Sequence, residues 1–457
     1  MAHLMISAAH KSSGKTTITL GLCAALRARG ITVAPFKKGP DYIDPLWLTL
    51  ASGRPCYNLD FWTMEDDEIQ ESFACHAEGS ALALVEGNKG LYDGVDLEGG
   101  NSNAALAKLL GTPVVLVIDT QGITRGIAPL VLGYRIFDPT VRIAGIILNK
   151  VGGLRHEGKL RKVLARYTDV PVIGAVARDK RLVIVERHLG LVPSNEAASA
   201  LERVDEIGAL VAAQVDLAAL QTIAHSAPPF PPLTLPSLPS TPRVRIGIPR
   251  DAAFAFYYPD DLDALRHAGA ELVFFDALHD HLPEVEGLFI GGGFPEVQME
   301  ALEANPTLRS EIRTAVENGM PVYAECGGLM YLARRIQWGD RSRAMVGALP
   351  ADVVMTDKPV GRGYIRMQET AAHPWPVHGP MVELSGHEFH YSYLDNLGPT
   401  LNFAYQVRRG TGIDGHHDGI VYRNVLACYS HQRNTRANPW AAGFVSFVQK
   451  KLAQRKG

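Results

Sequence analysis

Two short motifs, one toward each end of the chain, carry the residue types best suited to chemistry. In the first, residues 7–17 read SAAHKSSGKTT and separate an apolar run from a segment with helical spacing. Successive backbone N–H groups at the start of a helix hold phosphate, and a glycine there lets the phosphate approach closely. The pattern predicts a phosphate loop, although Ala9 stands where a strict loop of this kind has its first glycine. The predicted ATP-binding residues are Ser13, Gly14, Lys15, Thr16 and Thr17.

Charged side chains follow the next two apolar runs, in residues 35–45 (PFKKGPDYIDP) and 85–94 (VEGNKGLYDG). Ligands of an open α/β sheet bind beyond the carboxyl ends of its strands, so both segments should lie near the phosphate loop. Magnesium prefers carboxylate and hydroxyl oxygens as ligands. We therefore expect Thr16, Asp41 and Glu86 to hold Mg²⁺.

The same two segments offer groups for an anionic substrate. Lys37 or Lys38, in the first segment, suits a substrate carboxylate or a transferring phosphoryl group. Asp93, in the second, either orients the substrate or only closes a turn through its side chain. For each of these residues the alternative is a solvated turn whose charge faces water.

The second motif, residues 321–330 (PVYAECGGLM), runs from an apolar stretch through a cysteine flanked by small residues into a helical pattern. A strand-to-helix turn of this kind exposes a nucleophile, as in the GxSxG elbow. Cys326 is the predicted nucleophile, and Gly327 can donate its N–H to an oxyanion. Gly292, within a glycine triplet that follows another predicted strand, is expected to supply the second backbone donor to the oxyanion.

A thiol nucleophile needs a base to take its proton. His431 is the predicted catalytic base. His387 and His390, in the sequence GHEFHYS, are alternatives that better suit the shaping of the pocket. An inert buried cysteine is the competing interpretation of Cys326, and its place in a glycine-flanked turn argues against that interpretation.

These motifs need elements that present them at the edge of a sheet. Apolar β-branched runs alternate with helical patterns along the chain, which predicts an α/β fold with mostly parallel sheets covered by helices. The predicted strands of the first half are His3–Ala9, Thr32–Phe36, Ala81–Val85, Val114–Asp119, Ile143–Leu148 and Val170–Ala175. The predicted strands of the second half are Val244–Pro249, Glu271–Phe275, Gly287–Ile290 and Pro321–Ala324. Predicted helices include Thr16–Arg29, Gly153–Tyr167 and a helical segment Asn195–Ala224.

One change in composition divides the chain. Residues 227–242 (APPFPPLTLPSLPSTP) contain seven prolines, which favours a stiff, extended connector over helix or sheet. We therefore predict a phosphate-loop domain over residues 1–226, a linker over 227–242 and a second α/β domain over 243–457. The last hundred residues are rich in Gly, Tyr and His, and their local structure is not predicted.

Composition excludes several classes of protein. The chain has 457 residues, of which 46% are hydrophobic and 20% charged, so it is not mostly disordered. A net charge of −3 gives no reason to expect nucleic acid or an anionic membrane as a partner. The five cysteines have no CxxC spacing, and the amino terminus lacks the layout of a signal peptide. These features favour reduced thiols and the cytoplasm.

In combination, the motifs resemble those of a known family. FKKGPDYIDP, EGNKGLYDG, GGGFPE, AECGGLMYL and GHEFHYS occur in that order around the proline-rich linker. In this the chain resembles the cobyrinic acid a,c-diamide synthase family over nearly its whole length. The resemblance implies a dethiobiotin-synthetase-like, ATP-dependent amidoligase domain followed by a flavodoxin-like class I glutamine amidotransferase domain.

The resemblance also implies a reaction. Cys326, activated by His431, would attack the side-chain amide of L-glutamine and release ammonia. In the other domain, Mg-ATP would phosphorylate an acetate carboxylate of a tetrapyrrole, and ammonia would displace the phosphate to give an amide. The a- and c-acetates would react in turn. By the same resemblance, Asp44 and Asp93 would orient the substrate carboxylate, and a homodimer is a further expectation.

Class I glutaminases commonly carry His-x-Glu, whereas this chain has His431-Gln432-Arg433. We therefore predict a Cys–His dyad whose base has no orienting carboxylate, and slow basal glutaminase activity. The ring system stays open, because sirohaem and nickel-sirohydrochlorin amidases of the same family share these motifs. Residues 186–190 (ERHLG) are either a contact for ring carboxylates or a surface cluster. A partitioning-type P-loop ATPase switch, or a non-catalytic scaffold, would leave Cys326 unexplained.

Overall fold

The computed structural model describes residues 1–184, 186–187, 190–191, 199–230, 233, 239, 241–378, 382–399 and 401–456. The chain forms two compact units, Met1–Leu235 and Pro236–Gly457. The division between them falls within residues 227–242, the segment predicted as a linker. The side chains of residues 186–190, named above as a possible substrate contact, lie outside the described residues.

The first unit is built on a seven-stranded sheet in which every neighbouring pair is parallel, in the order β3-β2-β4-β1-β5-β6-β7. Its strands are β1 (Ala2–Ala8), β2 (Val33–Lys38), β3 (Tyr57–Leu59), β4 (Leu82–Glu86), β5 (Val114–Asp119), β6 (Ile143–Val151) and β7 (Val172–Ala177). A two-stranded pair adds β8 (Glu186–Arg187) and β9 (Gly190–Leu191). The helices are α1 (Lys15–Ala28), α2 (Ile43–Ser52), α3 (Asp66–Ala77), α4 (Asn103–Leu109), α5 (Ile127–Phe137), α6 (Leu154–Tyr167), α7 (Ala200–Ala212) and α8 (Leu217–His225).

The apolar runs of this unit form strands because the sheet is covered on both faces. All residues of β1, β2 and β4 are buried, so continuous apolar sequence suits them better than alternation. The six predicted strands are all present: β5 has the predicted bounds and the other five differ from theirs by one to three residues at one or both ends, whereas the short β3 was not predicted. The predicted helical segment Asn195–Ala224 holds two helices, because Asp216 caps the start of α8 through the N–H groups of Ala218 and Ala219.

Strand order brings the charged segments of this unit together. The register places Glu86, at the end of β4, opposite Ile6 of β1 on one side and Lys37 of β2 on the other. The phosphate loop follows β1, so all three segments leave the same edge of the sheet. The sheet therefore positions the predicted nucleotide and metal residues next to one another.

The second unit is built on a nine-stranded sheet in the order β12-β10-β13-β15-β24-β23-β22-β19-β20, parallel over its first five strands and antiparallel beyond them. Its strands are β10 (Val244–Pro249), β12 (Ala270–Phe275), β13 (Gly287–Ile290), β15 (Val322–Glu325), β19 (Gly361–Glu369), β20 (Glu383–His390), β22 (Asn402–Arg409), β23 (His417–Tyr422) and β24 (Val425–Cys428). Smaller sheets hold β11 (Phe254–Phe256), β14 (Gly292–Gly293), β16 (Arg335–Trp338), β17 (Arg341–Ala344), β18 (Asp352–Met355) and β21 (Ser392–Asp395). The helices are α9 (Pro259–His267), α10 (Met299–Glu303), α11 (Pro306–Glu317), α12 (Gly327–Leu332) and α13 (Trp440–Lys456).

The parallel part of this sheet confirms the predicted α/β fold, and all four predicted strands are present. The antiparallel extension was not predicted. Burial alternates along β20, which is typical of a strand with one exposed face and differs from the continuous apolar runs of the parallel strands. Strand β24 joins the two parts by pairing with β15, so residues after β24 lie beside the turn that holds Cys326. In the described part of the chain, no helix is both long and apolar enough to cross a membrane.

Candidate active sites

The phosphate loop joins β1 to α1 in the first unit. Gly14 precedes the helix with a φ of 82°, and Ser12 has a φ of 64°, so the loop turns through the left-handed region. A Cβ on Gly14 would stand 2.1 Å from Asn149 Nδ2, which donates to the carbonyl oxygen of Ser13 at 2.8 Å. Asn149 therefore fixes the loop and requires glycine at position 14. Thr17 is half-buried in the first turn of α1.

A cluster of opposite charges lies beside this loop. Lys37 Nζ is 2.5 Å from Asp44 Oδ2, 2.9 Å from Glu86 Oε1 and 3.8 Å from Asp41 Oδ2. Lys15 Nζ is 3.6 Å from the same Glu86 oxygen. The side chains of Lys37 and Glu86 are 2% and 0% exposed. Three carboxylates thus surround two ammonium groups, and Lys37 is paired with protein carboxylates rather than exposed to a substrate.

The pKa values follow from this crowding. Burial alone would lower the pKa of Lys37, but Asp44 and Glu86 raise it well above its ordinary value. Burial opposes ionisation of Asp44 as well, yet Lys37 brings the pKa of that carboxyl below its ordinary value. Burial, with the charge of Asp44 second, raises the pKa of Asp41 to about 7. Lys15 is different, because burial and then Lys37 lower its pKa.

The oxygens beside Thr16 fit a magnesium ion. Thr16 Oγ1 donates to Glu86 Oε1 at 2.7 Å and lies 3.2 Å from Asp44 Oδ2. Glu86 Oε2 is buried and has no hydrogen-bond partner among the described residues. Asp41, the predicted third ligand, instead accepts the N–H groups of Ile43 and Asp44. The acidic neighbour of Thr16 and Glu86 is therefore Asp44.

Magnesium usually keeps several waters and is held by one or two carboxylates together with substrate phosphates. The donor set of Thr16, Glu86 and a neighbouring aspartate fits that mode of binding. A site whose ligands all come from the protein is not observed: among the described residues, no group of three or more His, Cys, Asp or Glu side chains is arranged to hold a metal ion.

Two further charged residues lie near this edge of the sheet. Lys38 Nζ donates to Asn88 Oδ1 at 3.3 Å, and burial lowers the pKa of Lys38 to about 8. Asp93 is exposed, and its Oδ2 accepts the N–H of Gly90 at 2.9 Å. Asn103, which sequence analysis missed, bonds the backbone of both Asn88 and Gly90 and so holds this loop in place. A polar residue at the start of a mostly apolar helix was the available signal.

The nucleophile elbow of the second unit lies between β15 and α12. Cys326 has φ 46° and ψ −99°, a strained conformation for a residue with a side chain. Its N–H donates to the carbonyl oxygen of Cys428 at 2.7 Å. A Cβ on Gly328 would stand 2.1 Å from the carbonyl oxygen of Ile290, so the tight turn requires glycine there. Strain at a sharp strand-to-helix turn is the geometry of an exposed nucleophile.

The glycine triplet lies against this elbow. The backbone nitrogen of Gly293 is 3.0 Å from the point where a Cβ of Gly327 would stand. A Cβ on Gly292 would be 2.5 Å from His431 Cε1, so Gly292 makes room for the imidazole. The structure therefore brings Gly292 and Gly327 together with Cys326 and His431, as an oxyanion site requires.

His431 is held on both its backbone and its side chain. Its N–H and carbonyl pair with those of His387 at 2.7 and 3.0 Å. Burial alone would lower the pKa of His431, but hydrogen-bond contacts with Cys326 and then Glu325 raise it to about 10. The base and the nucleophile are therefore in contact, and a carboxylate lies beside them.

A carboxylate that we did not expect lies beside the base. Glu325 Oε2 is 3.4 Å from His431 Nδ1, and the Cys–His dyad itself stays a prediction. Glu325 Oε1 accepts the N–H of Gln432 at 2.9 Å and the hydroxyl of Tyr323 at 2.6 Å. The glutamate stands directly before the cysteine and not two residues after the histidine, where class I glutaminases commonly carry it. A glutamate that ends a buried strand was the signal.

The two alternative histidines frame the site. Burial, with the charge of His431 second, lowers the pKa of His387 to about 3. His390 is buried and stacks on Tyr429 with ring centroids 3.9 Å apart, while its Nδ1 lies 2.8 Å from the carbonyl oxygen of Ser392. Neither arrangement is that of a base in contact with Cys326, which agrees with a role in shaping the pocket.

A buried polar network supports the segment that carries His431. His373 Nδ1 accepts the N–H of Trp375 at 3.2 Å, so His373 is neutral and its Nε2–H is directed to the Tyr405 hydroxyl at 2.8 Å. The side chain of Gln432 donates to the same hydroxyl at 2.6 Å. The residue next to the catalytic base is thereby tied to the interior of the unit.

This network predicts sensitivity to acid. Burial lowers the pKa of His373 from 6.5 to about 4, so the unfolded chain takes up this proton at a higher pH than the folded one. Its contribution to stability is complete above about pH 6.5 and is lost as the pH falls toward 4. Between pH 6.5 and pH 5, His373 should account for about 2 kcal/mol of the decrease in the free energy of unfolding. Urea unfolding of the wild type and of His373→Gln at both pH values measures this difference, and an equal decrease in both proteins would contradict it.

Each unit matches a family of known proteins. Residues 4–192 match the family described as the CobQ/CobB/MinD/ParA nucleotide binding domain. Residues 245–438 match the CobB/CobQ-like glutamine amidotransferase domain. The fold and the two sites thus define the class of protein, a nucleotide-binding unit joined to a glutamine amidotransferase unit.

Relatives match the chain over almost its whole length. A cobyrinate a,c-diamide synthase of Magnetococcus marinus is 49% identical, covering 97% of this chain and 96% of that one. An enzyme of the same name from Dehalococcoides mccartyi is 42% identical, and the match covers 94% of each chain. Another from Archaeoglobus fulgidus is 40% identical, and the match covers 98% of each chain. The chain belongs to the cobyrinate a,c-diamide synthase family.

Family membership makes the chain an enzyme, a ligase with a glutamine amidotransferase domain. The alternatives of a stand-alone partitioning-type ATPase and of a non-catalytic scaffold are therefore wrong. The similarity to partitioning-type ATPases is limited to the nucleotide-binding half of the chain, because the family that matches residues 4–192 also includes MinD and ParA.

Proposed function

We propose that the chain converts the a- and c-acetate carboxylates of a cobyrinate-type tetrapyrrole into amides, using ATP and the amide nitrogen of glutamine. The observation that carries this proposal is the 49% identity to a cobyrinate a,c-diamide synthase over 97% of the chain, which spans both sites. The geometry of each site supports one half of the reaction.

In the first unit, a substrate carboxylate oxygen attacks the γ-phosphorus of ATP, ADP leaves and an acyl phosphate forms. A free carboxylate is a poor electrophile, and phosphorylation gives its carbon a good leaving group. The phosphate loop, with Gly14 in the left-handed region, presents backbone N–H groups to the phosphates. Lys15 would place its ammonium beside them; burial and Lys37 lower its pKa, so an anionic phosphate would favour its charged form.

Thr16 and Glu86, together with Asp44 or Asp41, would hold magnesium, which supplies neutralisation of phosphate charge when bound. Lys37 offsets the charge of the carboxylates around it. Asp44 and Asp93 stay candidates for orienting the substrate. Asp44 has the stronger support, because it lies in the buried cluster whereas Asp93 is exposed.

In the second unit, Cys326 Sγ attacks the side-chain amide carbon of glutamine while His431 takes the thiol proton. The backbone donors around Gly292 and Gly327 stabilise the oxyanion, and collapse of the intermediate releases ammonia and leaves a glutamyl thioester. Water then hydrolyses the thioester to glutamate. Ammonia attacks the acyl phosphate carbon, phosphate leaves and the amide remains.

The choice of ring is tested by incubating the chain with Mg-ATP, glutamine and each candidate tetrapyrrole in turn, followed by mass spectrometry. We expect cobyrinate to give a diamide. Sirohaem, the alternative substrate, should stay unmodified or react far more slowly. Diamide formation from sirohaem alone would replace the proposed substrate while keeping the chemistry.

A further inference from the structure

We propose that Glu325 is the positioning residue for His431, so that the glutaminase site works as a relay of Cys326, His431 and Glu325. The carboxylate comes from the residue directly before the nucleophile rather than from a position after the base. This inference rests on the proposed glutamine hydrolysis at Cys326, and it adds a residue to that site.

The geometry leaves one oxygen of Glu325 for the imidazole. Glu325 is 1% exposed, and its Oε1 already accepts the Gln432 N–H and the Tyr323 hydroxyl. These two donors fix the plane of the carboxylate, and Oε2 lies 3.4 Å from His431 Nδ1. That distance is longer than an ideal hydrogen bond, but such contacts in catalytic sites often tighten only when the substrate is bound.

Strand pairing explains why this glutamate reaches the base. Glu325 of β15 lies opposite Cys428 of β24, and His431 follows three residues later. The position at which a His-x-Glu pattern would place its carboxylate holds Arg433, which is 2% exposed and bonds to Asp260 through Nε at 2.9 Å. The chain thus uses that position for a different ion pair and supplies the carboxylate from the neighbouring strand.

The chemical role follows from the tautomer of the base. With the proton of the neutral ring on Nδ1, 3.4 Å from Glu325 Oε2, His431 has an unprotonated Nε2, which can take the proton of the Cys326 thiol. The proton moves from Sγ to Nε2 as the C–S bond forms, and from there to the departing nitrogen as the C–N bond breaks. Glu325 stabilises the imidazolium formed between these steps. His387, the other titratable group facing this ring, has a pKa of about 3 and adds no charge at neutral pH.

The variant Glu325→Gln tests this role with little change of shape. Its amide oxygen can still accept from Gln432, but its amide N–H would favour the His431 tautomer that carries the proton on Nε2. In that tautomer the base cannot accept the thiol proton. We expect kcat for glutamine hydrolysis to fall about 10²- to 10⁴-fold with KM changed little, as for an Asp-to-Asn change in a Ser-His-Asp triad.

A matched control is Glu369→Gln. Glu369 is another buried carboxylate of the same unit, and it accepts the N–H groups of Val377 and His378. This variant should leave kcat for glutamine hydrolysis unchanged. Glu325→Asp retains a carboxylate at a greater distance and should have intermediate activity, which also serves as the test if Glu325→Gln does not fold.

Alkylation of Cys326 by iodoacetamide, without ATP or glutamine, separates this inference from the proposed function. Glu325→Gln should slow alkylation at least about tenfold at pH 7 and change its pH profile, while amidation with added ammonium persists. If the wild type hydrolyses no glutamine, the proposed function is overturned. If alkylation of the variant is nevertheless slower than that of the wild type, the role of Glu325 is still supported. Hydrolysis and alkylation within threefold of wild type, or a change in KM alone, would overturn the role of Glu325.

Discussion

Replacing Cys326 with alanine should abolish glutamine-dependent amidation and leave amidation with added ammonium. The thiol is the only group in the strained elbow that can attack the glutamine amide, and ammonium supplies the same nitrogen without that step. We expect the glutamine-dependent rate to fall at least about 10³-fold, because the variant has no nucleophile to form the thioester. The measurement is product formation by mass spectrometry with glutamine or with ammonium chloride as the nitrogen source.

Cys75→Ala is the matched control for this prediction. Cys75 lies half-buried on α3 of the first unit, whereas the elbow belongs to the second, and its replacement should change neither rate. Loss of both activities in a folded Cys326→Ala protein would count against separate sites for ammonia release and carboxylate activation.

Replacing Lys15 with alanine should remove amidation with either nitrogen source. Activation of the carboxylate precedes attack by any amine, so ammonium cannot bypass a defect in phosphoryl transfer. Lys15 is 3.6 Å from Glu86 beside the phosphate loop, and loss of one such cation should cost at least about 100-fold in rate. The assay is amidation with glutamine and with ammonium, run beside hydrolysis of glutamine alone.

Lys108→Ala is the control for this variant, because Lys108 pairs with Asp138 at the surface of the same unit. It should leave both amidation rates near wild type. Hydrolysis of glutamine by Lys15→Ala should remain measurable, since the glutaminase groups belong to the other unit. Ammonium-dependent amidation at the wild-type rate in Lys15→Ala would contradict the assignment of this loop to carboxylate activation.

The sequence allowed the parallel part of the fold to be predicted for a physical reason. Strands such as β1 and β4 are buried on both faces, so their residues are apolar without interruption and stand out from the helical patterns between them. Strands β19, β20 and β22 are different, because their exposed faces admit polar residues and their pairing is decided by neighbours distant in sequence. Local propensity therefore did not indicate the antiparallel extension.

The sites show the same division. Residues whose roles depend on a local turn, such as Gly14 and Cys326, were predicted from the sequence and lie where a loop or an elbow requires them. Roles that depend on pairing between strands were missed, because no spacing along the chain shows that Glu325 faces His431. Of the predicted magnesium residues, Thr16 does contact Glu86, but no spacing along the chain showed that Asp44 of α2 would lie beside Thr16.

The most direct test of the account is amidation of cobyrinate with glutamine labelled with nitrogen-15 at its side-chain amide, in the presence of Mg-ATP. The account predicts a diamide that carries one labelled nitrogen in each new amide and requires ATP for both additions. The same incubation with an excess of unlabelled ammonium should dilute the label in the product. A product without label, or a diamide formed without ATP, would contradict the proposed reaction.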